Sequence, residues 1–600
     1  MFDQKKYVVL LSAFVATGSV FANPILSQHV APTGATIDQT NPLKTVINQT
    51  DPHAIINWHS FNIAPNEETH FEQPKGGIAL NRINPKQGVS EIYGHLSATG
   101  QVVLINQAGI HFGPGSKVDV GSLIAKSHHS IINEGTINAK DYGLVALLSP
   151  TVVNRGVINA KLGTIVLASG NKFTLDFYGD ELINFAIDKE FTEGKGVENT
   201  GALYADGGRI LVTAKAAQDI VDNVINMQGI AQANSIEEHN GEIVIYGGEH
   251  GKTVVDAELN ASSGKVHIDG NVINVNRSKI NVSGDPAGEI LIGGDEKGKH
   301  IQLFGKELPN ASQTIIYPGS EFIANGENYG NGGKIVLWSD NITRVFGTNN
   351  DKSKFSVHGG KMAGKGGLIE LSGPHLMVGK VSLDLGKNGT LRLDPYNVFL
   401  TNSATSGEDV FVGDPSTYNP NSPNANVSIP DIEGLLGFPS EVTVEIFTTG
   451  AGGGSQPGDI TISAPISWNT PAGTGILKLF ATRNIIINGQ ISSPNGFLVL
   501  SAGNVIAAPA FNNNFAVALQ IAYSIISGRF GTLGVPNGLI SALYSGFPTL
   551  PSPDLVYAKR FYPYDVAYDI YGIAQTENAM DQAYNDVGVA TGGACGGAAY

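Results

Sequence analysis

Short runs of aliphatic and β-branched residues, separated by glycine or asparagine, fill most of the chain after residue 50. A pattern of glycine followed by alternating aliphatic positions recurs, and from Asn81 to Ala125 no apolar stripe with helical spacing lasts for more than about one turn. This pattern predicts short strands joined by tight corners. Its copies begin at Gly163, Gly208, Gly241, Gly264, Gly288, Gly333, Gly367, Gly389, Gly458, Gly475 and Gly496.

A second repeat sets the period. The stretch from Asn133 to Lys140 (NEGTINAK) recurs from Asn154 to Lys161 (NRGVINAK), a shift of 21 residues, and a weaker copy starts at Asn199. A period of about 21 to 24 residues made of strands, with Gly or Asn at the corners, is typical of a right-handed parallel β-helix. The predicted fold is therefore all-β: a right-handed parallel β-helix, a solenoid whose core is made by stacking coils.

The two ends of the repeat predict additions to this solenoid. Residues 23–50 are rich in turn-forming residues and predict an N-terminal cap, because an uncovered first coil would offer an open edge to other chains. The segment 171–198 interrupts the period with aromatic residues and predicts an extra-helical hairpin.

The first 22 residues predict a secretory signal peptide. Lys5 and Lys6 precede an apolar run, YVVLLSAFV, that is too short to span a bilayer, and Val20-Phe21-Ala22 offers small residues for a peptidase. Cleavage is expected between Ala22 and Asn23.

The stretch from Asn81 to Ala125 carries a family resemblance. It contains Asn81-Arg82-Ile83, then SEIYGHL from Ser90, then GQVVLINQAGIHFG from Gly100, then VDVGSLIA from Val118. In this order and spacing it resembles the N-terminal secretion domain, or haemagglutination activity domain, of two-partner-secretion (TpsA) exoproteins of the filamentous-haemagglutinin family. The family pattern Asn-Pro-Asn-Gly-Ile is Asn-Gln-Ala-Gly-Ile here. The resemblance assigns transporter recognition or folding to Asn81, Arg82, Ser90, Gly94, Asn106, Gly109, Ile110 and Gly113.

The resemblance also implies a route and partners. It implies a Gram-negative exoprotein that the Sec machinery brings to the periplasm and that an outer-membrane TpsB-type transporter, with periplasmic POTRA domains, carries out. The product is expected at the cell surface or outside the cell. An adhesin or haemagglutinin-like protein with a host-cell or bacterial surface ligand is the first hypothesis. A haem- or iron-acquisition exoprotein and a cytolysin of the same architecture are the alternatives.

The predicted organisation follows from the repeat and the resemblance together. It consists of a signal peptide (1–22), a two-partner-secretion domain in a capped β-helix (23–270), further coils (271–401), an Asn/Ser/Pro-rich linker (402–426), more coils (427–510) and a C-terminal segment without assigned structure (511–600).

Net charge and cysteine content argue against two features, a nucleic-acid partner and an intramolecular disulfide. The formal net charge of −16 argues against nucleic acid as a partner, because phosphate recognition needs a basic face. The single cysteine, Cys595, excludes an intramolecular disulfide.

Candidate catalytic and metal-binding chemistry is sparse. The chain has no Asp-Asp step, which a polysaccharide-cleaving β-helix would be expected to carry, and no nucleophile, zincin or phosphate-loop motif. His128 and His129 are adjacent on a predicted strand and so point to opposite faces. We therefore predict no catalytic, cofactor or metal site, with a polysaccharide-active enzyme as the least favoured alternative.

Overall fold

The computed structural model is a parallel β-helix built of three long sheets that the chain visits in turn. The structure describes residues 23–175, 185–189, 196–215, 223–236, 239–303, 306–347, 350–402, 425–437, 442–448, 458–468, 475–489, 491–492, 497–502, 504–507, 558–560 and 568–570. The predicted signal peptide and nearly all of the C-terminal segment lie outside these residues.

The largest sheet, called sheet 1, has 17 strands, and all but the first pair in parallel with the strands of the coils before and after. Its strands are Ile25–Leu26, His53–Ser60, Ile78–Ile83, Gln101–Ile105, Ser122–Lys126, Leu144–Ser149, Thr164–Ser169, Arg209–Ala214, Glu242–Tyr246, Lys265–Asp269, Glu289–Ile292, Lys334–Leu337, Leu368–Ser372, Gly389–Asp394, Val442–Thr448, Gly475–Ala481 and Phe497–Ser501.

Sheets 2 and 3 have 14 and 11 strands and run along the other two faces. The strands of sheet 2 are Ala35–Asn41, Lys44–Gln49, Glu68–Glu72, His95–Ala98, Lys117–Val120, Thr136–Ala139, Val157–Asn159, Ala202–Tyr204, Ile230–Gln232, Glu258–Asn260, Lys279–Asn281, Glu321–Ile323, Ser353–Ser356 and Val381–Asp384. Those of sheet 3 are Ser90–Ile92, Ile110–Phe112, Ser130–Asn133, Thr151–Asn154, Gly196–Asn199, Asn223–Met227, Lys252–Val255, Val272–Val275, Gln313–Ile316, Ile342–Val345 and His375–Val378.

The remaining elements are short. A five-stranded sheet holds Val398–Thr401, Ala425–Ser428, Ile460–Ile462, Asn484–Ile487 and Asn504–Ala507. Four two-stranded pairs are Lys172–Leu175 with Phe185–Lys189, Gln302–Leu303 with Lys306–Glu307, Ile466–Ser467 with Ile491–Ser492, and Ala558–Arg560 with Tyr568–Ile570. The helices are the 3-10 turns Pro85–Gln87 and Glu296–Gly298 and the α-helix Ile429–Leu436.

The core consists of columns of inward side chains. Leu104 pairs with Ala125, which pairs with Leu147, which pairs with Leu167, and all four are at most 1% exposed. Each column places one aliphatic side chain on the next at the strand spacing of about 4.8 Å. A single coil buries little by itself, so stacking in register supplies the stability of the rod.

Insertions leave these columns intact. The antiparallel pair Lys172–Leu175 and Phe185–Lys189 supports the predicted extra-helical hairpin, yet Ile165 before it pairs directly with Ile210 after it. Likewise Leu393 pairs with Ile446 across the whole predicted linker, whose residues 403–424 lie outside the described part.

The outward face of sheet 1 carries a second apolar column that the repeat pattern does not predict. Val103, Ile124, Ala146, Val166 and Leu211 stack in register and are at most 8% exposed. Sheet 1 is therefore apolar on both faces in this part of the rod, as expected for a parallel sheet covered on both sides.

The N-terminal end is closed as predicted. Ala35–Asn41 pairs antiparallel with Lys44–Gln49, which begins the parallel stack of sheet 2. Trp58 is 1% exposed and packs edge-on against Phe61, with ring centroids 5.3 Å apart. No helix in the described ranges is long and apolar enough to cross a membrane.

Candidate secretion site

Asn81 lies in an interior column between Ile56 and Leu104. Its side chain is fully buried, and its Oδ1 accepts a hydrogen bond of 2.9 Å from the indole Nε1 of Trp58. Its Nδ2 donates to the carbonyl oxygens of Ala79, at 3.1 Å, and Val103, at 3.3 Å. An amide among aliphatic residues is tolerated because its hydrogen bonds are made, and it orients the Trp58 ring.

Asn106 directly follows the strand Gln101–Ile105 of sheet 1 and is also fully buried. Its Nδ2 donates to the carbonyl oxygen of Gly88 and to the hydroxyl of Ser90, both at 3.0 Å. Its Oδ1 accepts from the backbone N–H of Ala108 at 2.9 Å. The Asn106 side chain thus closes its own turn and also ties that turn to the turn of the preceding coil. Its hydrogen bonds satisfy backbone groups that have no partner in a sheet.

Ser90 and Ile110 face each other across this junction. They pair in register on sheet 3, and they are 2% and 1% exposed. Ser90 supplies the hydroxyl that Asn106 binds, while Ile110 packs in the hydrophobic core. Both side chains lie inside the folded junction.

The three motif glycines stand where a side chain does not fit. A Cβ on Gly94 would lie 2.2 Å from the carbonyl oxygen of Ala64, and one on Gly113 would lie 2.2 Å from the Tyr93 ring. Gly109 has a φ of +132°, a conformation that other residues resist. Gly94 and Gly113 thus permit close approach of neighbouring segments, whereas Gly109 is required for its backbone conformation.

Arg82 differs from the other predicted site residues because its side chain is exposed. It alternates with the buried Asn81 and Ile83 on the same strand, so its side chain points outward, and it is exposed. The structure therefore separates the eight residues into seven that build the coil junction and one that a partner could touch.

Sequence reasoning missed a charged cluster beside the motif. The Nδ1 of His111 lies 2.9 Å from a carboxylate oxygen of Glu91, and its Nε2 lies 3.0 Å from Glu134. The hydrogen bond from His111, together with that from Arg155, lowers the pKa of Glu134. Burial and the Glu91 charge raise the pKa of Tyr93, whose ring packs edge-on against His111. The repeat period is the sequence signal that could have revealed this cluster, because its residues occupy neighbouring coils.

A buried asparagine ladder follows the motif. Asn133 donates to Asn154, and Asn154 donates to Asn199, each through a bond of 2.7 Å between fully buried side chains. Asn106 is not part of this ladder, because Asn133 pairs in register with Phe112.

The predicted cleavage site lies at the edge of the described residues. Ala22 falls outside them, while Asn23 is the first residue described, and its side-chain amide donates to the carbonyl oxygen of Pro42 in the cap. In the part of the chain that the structure describes, no three His, Cys, Asp or Glu side chains are grouped to hold a metal ion.

Comparison with known proteins identifies this region. Residues 24–255 match the TPS secretion domain family. The chain carries a two-partner-secretion domain. This confirms the predicted resemblance to two-partner-secretion (TpsA) exoproteins, and proteins with this domain are secreted across the outer membrane.

Proteins similar to this chain occur in Haemophilus influenzae. Two proteins, each named heme/hemopexin-binding protein, are 26% identical over 231 residues and 27% identical over 283 residues. The alignments cover 34% and 40% of this chain but only 25% and 30% of the relatives. The crystal structure of the HMW1 secretion domain is 27% identical with a TM-score of 0.49, covering 60% of this chain and 97% of that one.

Proposed function

We propose that this two-partner-secretion exoprotein reaches the periplasm through the Sec machinery and crosses the outer membrane through a TpsB-type transporter with periplasmic POTRA domains. The observation that carries the proposal is the family match over residues 24–255, which encloses the coil junction built by Asn81 and Asn106. Extracellular coils then fold by stacking on those already outside, and each added coil buries its aliphatic column. Folding of this kind biases movement outward without a nucleotide.

Coil-matched deletions test this proposal. Asn81 and Ala125 lie in one column, so deleting residues 81–124 removes two coils and leaves the register unbroken. The control deletes residues 334–389, which lie outside the family match, because Lys334, Leu368 and Thr390 also pair in register. With the candidate transporter co-expressed, we expect the first deletion to remain in the periplasm and the control to be secreted. Secretion of both deletions, or secretion of the intact chain without the transporter, would contradict the proposal.

Outside the cell, the rod acts as an adhesin or haemagglutinin-like display surface rather than as an enzyme. The main cluster of carboxylates supports this: Glu296, Glu370 and Glu445 all surround Arg392, with nitrogen–oxygen distances of 2.6 to 3.0 Å. Glu370 is fully buried, and burial raises its pKa despite the Arg392 charge. The carboxylate of Glu370 is paired with Arg392 and shielded from solvent, so it does not meet a polysaccharide.

A second candidate, haem or iron acquisition, is favoured by the names of the two relatives. Two assays on the secreted chain separate the candidates: binding to host and bacterial cells, and growth of the producing strain with haem as the iron source. Cell binding without a growth effect supports the adhesin, and the reverse result supports haem acquisition.

A further inference from the structure

Three consecutive coils each carry a glycine-rich loop at the corner that leads from sheet 2 to sheet 1. The loops comprise residues 282–288, 324–333 and 357–367 and are called the loop cluster. Backbone hydrogen bonds stack them, and the N–H of Met362 donates to the carbonyl oxygen of Asn328 at 2.8 Å. The loop cluster therefore continues the stacking of the rod beyond its core.

The side chain of Asp285 holds the middle loop in place. Its carboxylate oxygens accept hydrogen bonds of 2.7 to 3.3 Å from four consecutive backbone N–H groups, those of Glu327, Asn328, Tyr329 and Gly330. Hydrogen bonds to an ionised carboxylate are stronger than neutral ones. The tip of this loop is thus already ordered, so a partner that binds it does not have to fix the loop first.

Tyr329 and Met362 are the most exposed large hydrophobic side chains in the described ranges, at 70% and 72%. They lie on neighbouring loops, because Met362 bonds to Asn328, the residue before Tyr329. Tyr and Met are enriched at protein interfaces, and exposed apolar side chains that lie together mark contact sites. The loop cluster therefore presents an apolar centre to another protein.

Unpaired charges of both signs lie beside this apolar centre. Glu327 is two residues before Tyr329, and its carbonyl oxygen accepts a hydrogen bond of 3.2 Å from the backbone N–H of Lys361. Lys365 follows on the same loop as Lys361. The side chains of Glu327, Lys361 and Lys365 are exposed, and none forms an ion pair with a residue in the described ranges. A patch that carries both signs in this way is complementary to a copy of itself.

We infer that the loop cluster joins two copies of this chain about a twofold axis, with Glu327 of each copy facing Lys361 and Lys365 of the other. In a twofold contact each residue meets its counterpart in both directions, so these charges are paired twice. A partner of one charge sign would leave part of the patch repelled, which disfavours nucleic acid and strongly acidic proteins. The contact also removes Tyr329 and Met362 from water.

This contact belongs to the folded rod outside the cell. The loop cluster lies beyond the family match, which ends at residue 255, and its loops are held together only once their coils have stacked. The inference therefore goes beyond the proposed export and holds whichever ligand the rod binds. It predicts rods that associate in pairs.

Complementary charge reversals test the inference in the purified full-length chain. Glu327→Lys leaves only positive charges beside the apolar centre, and Lys361→Glu with Lys365→Glu leaves only negative ones. Each variant alone repels its own copy, whereas an equimolar mixture restores opposite charges across the axis. The control Glu249→Lys makes the same change of charge as Glu327→Lys at an exposed corner between sheets 1 and 3. Sedimentation velocity at about 50 mM salt, where surface charges are weakly screened, measures association.

The native chain and the control should dimerise as the chain concentration rises. We expect each reversal variant alone to associate about 10-fold more weakly, and the mixture to regain near-native association. Tyr329→Ser with Met362→Ser should also weaken association, without a change in charge, because less apolar surface is buried. Thermal unfolding shows whether each variant keeps the fold.

Two kinds of result would overturn the inference. The first is a native chain that is monomeric at about 100 μM, or folded reversal variants that dimerise as well as the native chain. The second is a mixture of the two reversal variants that stays monomeric, because the charges then do not face each other. Export is measured separately by the deletions, so these results leave the export proposal standing.

Discussion

Replacing Asn106 by alanine removes three hydrogen bonds at the junction between two early coils. These are the bonds to Gly88, Ser90 and Ala108, with lengths of 2.9 to 3.0 Å. A typical net contribution of about 1 kcal/mol for each bond gives a local loss of about 3 kcal/mol. We expect Asn106→Ala to be secreted poorly because the junction opens, with the surface around Arg82 disordered as a consequence.

Amide hydrogen exchange is the suitable assay, because a stacked solenoid need not unfold in one step. A local loss of about 3 kcal/mol corresponds to roughly 100-fold faster exchange in peptides covering residues 88–112. The neighbouring Gln107→Ala is the control, since Gln107 is exposed. Native exchange in Asn106→Ala would refute the reasoning on stability, and native exchange with lost transporter binding would assign direct recognition to Asn106.

Three other changes have defined outcomes. Asn154→Ala leaves the amides on both sides of it in the asparagine ladder without their partner, so exchange should accelerate in the adjoining coils of sheet 3 and stay native in the cap. Gly94→Ala should lower the unfolding midpoint more than Gly113→Ala, because its methyl group meets a backbone carbonyl and not a movable ring; equal midpoints would contradict this. Burial raises the pKa of Asp269 to about 8, so the folded chain holds a proton that the unfolded chain releases near pH 4. Its contribution to stability should therefore fall from about pH 4 to pH 8, and Asp269→Asn should flatten denaturation midpoints across this window.

The repeat predicts the interior of the rod well. Glycine followed by alternating aliphatic residues marks strands such as Thr164–Ser169 and Arg209–Ala214, because a position that stacks on its copy in every coil keeps the same chemistry. The family motif likewise predicts where the early junction lies.

The contacts around the site were less accessible from the sequence. The hydrogen bonds of Asn106 reach back to Gly88 and Ser90, 18 and 16 residues away, and their partners depend on the path of one exposed turn. The helix Ile429–Leu436 was also missed, since it is short and depends on a Ser428 cap and on burial of Ile432 and Leu436. The charges around Arg392 come from segments up to 96 residues away from it, which no local pattern brings together.

Strand register is kept across long insertions, and this affects which parts of such a chain can change during evolution. Asn154 bonds to Asn199 across 45 residues as directly as Asn133 bonds to Asn154 across 21. Loop closure costs little more as a loop lengthens, about 0.6 kcal/mol for each doubling. A corner can therefore gain or lose tens of residues while the coils above and below remain unchanged. Sequence length is free to vary at the corners, whereas the side chains facing the core are constrained by their neighbours one coil away.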